Sequence, residues 1–416
     1  MPDPATIEAL QFRHEIGRYL LSRFTHAWAR PLWSAGLAPL HRVRLPRPEP
    51  PGPGWALVRT RISGICGSDL SLLTGDDSLY LEPEATYPFV PGHEVVGEIE
   101  RGSGLPERLA PGTRVAVWPA LGCATRDAEE PCAACARGWD GLCEQRREAF
   151  PGAALSIGFS RETGGGWSEC FIAHHSQLWP LPDEVPDLDA VLLDPAAAAL
   201  AGLLRTQAMG PQNNLVVGGG TIGLLCMELA RVLRLPGRWT LLARHPAQLR
   251  WATARGHTVL TPRAAEEFRA WLASEGARSV KVAGYGHVFR GVFDRVLVAA
   301  GSAQAVRWAL DAVAPRGVLA LISAPAALPG FDPTAVWYRG VSVYGIHEYG
   351  PVPWEGAPRH PYEIMLPLLR AGTLRMGDLV THRLSLADYR RAFAAALGRA
   401  DSGAIKVAFI PVAPAS

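Results

Sequence analysis

The chain has no run of eighteen apolar residues, so nothing in it reads as a membrane-crossing helix. It has little net charge. The 41 basic and 39 acidic residues leave +2, and the two signs are mixed along the chain, which argues against a nucleic-acid-binding face or an acidic tail. The opening MPDPATIEAL carries two acids and no apolar centre, so it is not expected to act as a secretory leader. There is no internal repeat. The 43 glycines and 36 prolines are scattered between apolar runs and punctuate loops. Cysteine is sparse and odd in number, at 7, and three of these crowd between 132 and 143. In a long chain this favours metal binding over a disulfide framework, and a reducing cytoplasm is the expected setting. The 416 residues suffice for two domains with full cores.

What is present is organised around LVVGGGTIGLLCMELA, residues 215–230. Leu215, Val216 and Val217 read as a short buried strand. They run into Gly218, Gly220 and Gly223, the spacing G-x-G-x-x-G, with Thr221 and Ile222 opening a helix marked by Ile222, Leu225, Leu229 and Val232. A strand, a glycine turn and a helix start in this order suit a dinucleotide. The first glycine makes the turn, the second admits the pyrophosphate, the third lets helix and strand pack, and the helix N-terminus meets the phosphates. A purely structural glycine turn is the plainer alternative.

Upstream, Trp55 to Ile65 reads as a strand that delivers Cys66 in GICGSDL. His93 and Glu94 follow Pro91-Gly92 at a turn before VVGEIE. Cys66, His93 and Glu94 are all residue types that bind zinc, and a catalytic zinc commonly keeps three protein ligands and one open position. An inert buried cysteine and a core histidine are the bland readings of the same residues. Before them, Ile16, Tyr19, Leu20, Phe24, Trp28 and Leu32 form a helical stripe between His14 and Trp33, with Arg18, Arg23, His26 and Arg30 elsewhere. A helix packed on its own domain is expected; a lid over the substrate and an interfacial helix are the alternatives.

GICGSDL, PGHEVVGEIE, PGTRVAVWP, GGWSECFIAHHSQLWPLPDEV and VVGGGTIGLL, in that order, resemble the zinc-containing medium-chain alcohol dehydrogenase family. The resemblance runs from about residue 46 to the end. It implies an α/β protein: a β-rich GroES-like catalytic domain, 46–205 completed by 346–416, a doubly wound parallel-sheet Rossmann domain, 206–345, and an N-terminal extension, 1–45. It also implies that Cys66 and His93 bind catalytic zinc, that Glu94 stands beside it, that Asp69 orients His93, and that Ser68 binds the substrate hydroxyl and starts the proton path. Many relatives end that path with a histidine where this chain has Ser71. The third ligand in relatives is a cysteine or a glutamate before proline. Here the matching residue is Asp194, one methylene shorter than glutamate, so ligation through water or by Glu94 stays open.

Cys132, Cys135 and Cys143 match the last part of the family's structural zinc lobe. The position three residues before Cys132 is Glu129, where relatives carry a cysteine, and Cys123 lies further upstream across a longer loop. Cys123 is the expected fourth ligand, with Glu129 or a lost zinc as alternatives. Cys170 and Cys226 read as core. His347 and Glu348 line the substrate cleft or stand as solvated loop residues.

The position about twenty residues past the glycine loop, where an acid accepts from the ribose 2′-OH in NAD sites, is Ala243, followed by Arg244. An alanine does not repel a 2′-phosphate and a guanidinium pairs with it, so NADP is expected over NAD unless Arg244 is only a solvated loop residue. The expected activity is zinc-dependent hydride transfer between a small alcohol, polyol or carbonyl substrate and the nicotinamide. A zinc-independent carbonyl or double-bond reductase and a non-catalytic nucleotide sensor are the competitors. Relatives are commonly homo-oligomers, dimers or tetramers.

Overall fold

In the computed structural model the chain separates into two compact units. One comprises 1–194, 349–351 and 362–416, the other 195–348 and 352–361. The structure describes residues 5–33, 38–146, 150–206, 213–284, 286–323, 327–329, 331–347 and 350–411, and over 25–33 only the backbone. Glu348 therefore lies outside the described residues.

The first unit is built on the strand Trp55–Gly64, WALVRTRISG, which is buried on both faces. Ala56 and Val58 join Val95, Ile99, Val115, Val117, Phe171 and Ala173 in one core. Trp55 and Leu57 join Ile7, Cys170 and Ile172 in another. Alternate residues point to opposite faces of a strand, so one stretch serves two cores. It is the hub of a seven-stranded sheet that runs Val380–Leu384, Lys406–Phe409, Trp55–Gly64, Val95–Gly102, Arg114–Val117, Leu178–Pro180, with Cys170–His174 also paired to the hub. The N-terminal stretch adds an antiparallel pair, Thr6–Phe12 with Leu40–Pro46, and single bridges tie Ala9 to Ser168 and Phe12 to Phe89.

The helix between those two strands, Ile16–Trp33, starts close to where the periodicity places it. Of the stripe, Ile16, Leu20 and Phe24 are exposed and Tyr19 is half-buried, while the side chains of Trp28 and Leu32 lie outside the described residues.

The second unit carries a six-stranded sheet in the spatial order Thr258–Leu260, Arg238–Leu242, Asn213–Val217, Phe293–Ala299, Val313–Ser323, Ser342–Gly345. Every pairing in it is parallel. Numbered along the chain this is 3-2-1-4-5-6, the doubly wound dinucleotide-binding order, with the crevice beside the first strand. The glycine loop leaves the C-terminal end of that strand. A short exposed hairpin, Arg278–Val282 with Gly286–Arg290, precedes the fourth strand and has no counterpart among the sequence expectations.

Candidate zinc and dinucleotide sites

The hub strand ends at Gly64, and two residues later Cys66 caps the helix Gly67–Thr74. The Cys66 N–H donates to Asp69 Oδ2 at 2.8 Å, so the acid in the first helical turn also fixes the cysteine's backbone. His93 and Glu94 arrive on the turn before the strand Val95–Gly102, whose Val95 pairs with Ser63. This register brings the Cys66 sulfur, a His93 ring nitrogen and a Glu94 carboxylate oxygen within 4.8 Å of one another. His93 and Glu94 are buried.

His93 Nδ1 faces Asp69 Oδ1 at 3.8 Å, which is longer than a hydrogen bond, and neither atom has a hydrogen-bond partner. Burial pushes the Asp69 carboxyl up to about 6, opposed by the charge of His93. Burial acts to lower the His93 imidazole, but Asp69, Cys66 and Asp194 outweigh it and hold the ring well above its ordinary value. A thiol, an imidazole and a carboxylate converging with unpartnered buried atoms form the donor set that a zinc ion satisfies. Asp194 is also buried and bears on His93 electrostatically, but it stands outside the 4.8 Å triangle. Ser68 is exposed at the start of the helix, and Ser71 is half-buried one turn further on.

Sequence reasoning missed Lys406. It comes from the strand Lys406–Phe409 and is buried, and its Nζ donates to Glu94 Oε1 at 2.5 Å and to the Ile65 carbonyl at 3.1 Å. Only the parallel and antiparallel pairing of that late strand brings it here, and nothing local to IKVAF announces it. Gly64 makes room for the other side of the pair, since a Cβ there would fall 2.0 Å from Glu94 Oε2. Phe159 was also missed. Half-buried, its ring lies 5.5 Å from that of His93 and 5.6 Å from that of Phe89, an aromatic wall beside the histidine.

Cys123, Cys132, Cys135 and Cys143 form a second cluster, and Glu129 is not part of it. None is in a disulfide. Cys123 Sγ lies 3.6 Å from Cys143 Sγ. A zinc tetrahedron with bonds of about 2.3 Å has sulfurs roughly 3.8 Å apart, so the spacing fits. Backbone N–H groups point at the sulfurs: Cys123 donates to Cys135 Sγ at 3.3 Å, Cys132 to Cys123 Sγ at 3.3 Å and Glu144 to Cys132 Sγ at 3.4 Å. Against the burial that would raise it, the N–H groups of Cys135 and Glu144 hold the Cys132 thiol down at about 6. Burial and neighbouring thiols push Cys143 up to about 11 and raise Cys135. Four sulfurs this close cannot all ionise without a cation between them. Cys170 and Cys226 are buried in their strand and helix, apart from both clusters.

In the second unit, Gly218 has φ +119°, which only glycine adopts readily, and a Cβ at Gly223 would meet the Gly218 carbonyl oxygen at 1.7 Å. The helix Thr221–Val232 is capped by Gly220, and its first ladder bond is Leu224 N–H to Gly220 O at 3.0 Å. The amides of Ile222 and Gly223 therefore precede the ladder at the positive end of the helix. Gly218 N–H donates to Leu242 O at 3.0 Å, which ties the loop to the end of the second strand. Ala243 follows directly, buried, its Cβ packed on Gly219 so closely that a Cβ on Gly219 would meet it at 2.4 Å. Arg244 is exposed and makes no hydrogen bond or ion pair among the described residues. The cradle fits a pyrophosphate, and no carboxylate stands at the end of the second strand.

Residues 52–183 match the alcohol dehydrogenase GroES-like domain. The L-threonine 3-dehydrogenase of Anaeromyxobacter dehalogenans is 27% identical over 350 residues, 81% of this chain and 86% of that protein. The galactitol 1-phosphate 5-dehydrogenase of Escherichia coli is 27% identical over 342 residues, 80% of this chain and 87% of that protein. A Sinorhizobium meliloti protein solved with NADP bound shares the fold, with a TM-score of 0.68 at 23% identity, over 91% of this chain and 98% of its own. Over most of its length the chain is similar to medium-chain alcohol and polyol dehydrogenases, its residues 52–183 match their GroES-like domain, and it is an NAD(P)-dependent alcohol dehydrogenase-like oxidoreductase.

Proposed function

We propose that the protein interconverts a secondary alcohol or polyol and its carbonyl, with Cys66, His93 and a carboxylate holding the catalytic zinc and NADP as the preferred cofactor. The observation that carries this reading is the convergence of half-buried Cys66 with buried His93 and Glu94 in a chain that also holds a complete glycine cradle. Zinc bound there would act as a Lewis acid toward the substrate oxygen. Glu94, held by Lys406, and Asp194, which bears on His93, are the two candidates for the third donor. The zinc affinities of Glu94→Gln and Asp194→Asn separate them.

The chain's own residues then take ordinary roles. Asp69 faces His93 Nδ1 and presents the ring's other nitrogen to the metal. Ser68, exposed beside Cys66, accepts the proton from the substrate hydroxyl and passes it to water, with no histidine at Ser71 to carry it further. Phe159 gives the pocket an apolar wall at His93. Cys123, Cys132, Cys135 and Cys143 hold a structural zinc. Arg244 pairs with the 2′-phosphate of NADP, and Ala243 leaves that phosphate unopposed. The first unit supplies metal and substrate contacts and the second the dinucleotide cradle. A homo-oligomer in the cytoplasm completes the reading.

The test is steady-state turnover of zinc-loaded protein with NAD and NADP. The panel includes L-threonine, galactitol 1-phosphate and 2,3-butanediol, the kinds of compound named for its relatives. Oxidation of at least one alcohol, lost on chelation and in Cys66→Ser, is expected. Turnover indifferent to zinc would favour a zinc-independent reductase, and none with either cofactor would overturn the enzyme reading.

A further inference from the structure

Over Ile16 to Phe24, the part of the helix Ile16–Trp33 whose side chains are described, the apolar side faces water. At about 100° per residue, Ile16, Leu20 and Phe24 fall on one arc with Leu21 at its edge. These four are 60%, 45%, 78% and 44% exposed. The residue turned fully inward is Ser22, at 0%, whose hydroxyl donates to the Arg18 carbonyl at 2.6 Å. Of the other described side chains, half-buried Tyr19 feels the charges of Asp77 and Asp76, and Arg23, itself exposed, donates to the Gly75 carbonyl at 3.1 Å. A helix in water normally buries its apolar stripe, so an outward stripe marks a surface that something else covers.

The charge says what. Residues 13–47 hold seven arginines and one acid, Glu15, in a chain whose net charge is only +2. On the helical wheel Arg18 and Arg23 border the apolar arc on its two sides. Of the acids that reach this helix, Asp76 and Asp77 act on its Tyr19 edge, away from the arc, and Glu15 pairs with Arg18 at 3.1 Å on the exposed border. An aliphatic and aromatic arc flanked by arginines is the arrangement that lies flat in a bilayer interface, with the arc among the acyl chain ends and the guanidinium groups at the phosphates. A two-fold contact with a second copy would set these arginine borders against each other. We propose that this helix docks the protein on an anionic lipid surface.

The experiment is co-sedimentation of the full-length protein with vesicles of phosphatidylcholine, alone or mixed with phosphatidylglycerol, across a salt series. Binding to the phosphatidylglycerol vesicles alone is expected, weakening as salt rises. Arg18→Gln should weaken it about fivefold. The double variant Leu20→Glu/Phe24→Glu should weaken it roughly a hundredfold. Both of its sites are exposed, so melting temperature and turnover should stay at the parent values. No preference for the anionic vesicles, or equal binding by the double variant, overturns the proposal. Sedimentation velocity run alongside identifies the rival occupant. If the double variant loses an oligomer that the parent forms without lipid, the arc belongs to a second copy and the lipid proposal fails.

Discussion

Replacing Gly64 with alanine tests how tightly the carboxylate beside Cys66 and His93 is held. An added Cβ falls 2.0 Å from Glu94 Oε2, where ordinary contact begins at 3.4 Å, so the carboxylate must retreat by about 1.4 Å. It has nowhere free to go, since Glu94 is 1% exposed and Lys406 4%. The retreat breaks the 2.5 Å contact from Lys406 Nζ to Glu94 Oε1. Breaking one side of a buried ion pair costs about 3–5 kcal/mol, because both charges stay out of water without each other. For a folding unit of this size that corresponds to a melting temperature lower by about 10 °C. The assay is thermal unfolding at saturating zinc, run as a double-mutant cycle. Glu94→Ala strands Lys406 by itself but also removes the collision, so Gly64→Ala/Glu94→Ala should melt where Glu94→Ala melts. The coupling should then nearly equal the cost of Gly64→Ala alone. Additive losses, or a Gly64→Ala protein that melts like the parent, would refute the reasoning.

Elemental analysis should find two zinc ions per chain, one lost in Cys66→Ser with little change in melting, whereas Cys135→Ser should melt early because metal binding in the sulfur cluster is coupled to folding. Arg244→Ala should raise the KM for NADP roughly tenfold or more with little effect on NAD, and Ala243→Asp should turn the preference to NAD; a parent enzyme with the higher kcat/KM on NAD would sink this. Glu228, 2% exposed on the dinucleotide helix, is held down at about 2, since the contact of His257 at 3.4 Å, the hydrogen bonds from Arg231 and the charge of Arg255 outweigh the burial that would raise it. A depressed carboxyl stabilises the fold fully above its unfolded value near 4.5, and that stability fades as the pH falls toward 2. The melting gap between the parent and Glu228→Gln, about 2–3 kcal/mol at neutral pH, should therefore close below pH 4, and a gap independent of pH would contradict it.

Where a function rests on residues close in sequence, the sequence was informative. The strand, glycine loop and helix at 213–232 lie as the apolar spacing and glycines place them, because every contact that shapes the loop is local. Cys123 was legible for the same reason, as a thiolate on a loop long enough to bend back to Cys132. Lys406 was not, because its strand pairs with the hub strand from the far end of the chain, and its Nζ donates to a carbonyl 341 residues away in sequence. Phe159 was not, because a lone aromatic in a glycine-rich loop carries no periodicity. The helix at Ile16–Trp33 was half legible: its amphipathic spacing was plain, but which face turns inward is decided by neighbours such as Gly75, which no local pattern reveals.

The bond from Lys406 to Glu94 also sets an order of events in the living cell. Cys66, His93 and Glu94 are made first, and the cation that balances Glu94 follows 312 residues after it. Until then the entire dinucleotide unit lies between them in the chain. A nascent chain therefore carries the thiol, imidazole and carboxylate as an unfinished set, with an acid that has no counter-charge and a hub strand that lacks its neighbour Lys406–Phe409. The cluster reaches its final electrostatics only once Lys406 is made and its strand has paired with the hub. A chain that stops short of Lys406 keeps Glu94 without the buried cation that balances it.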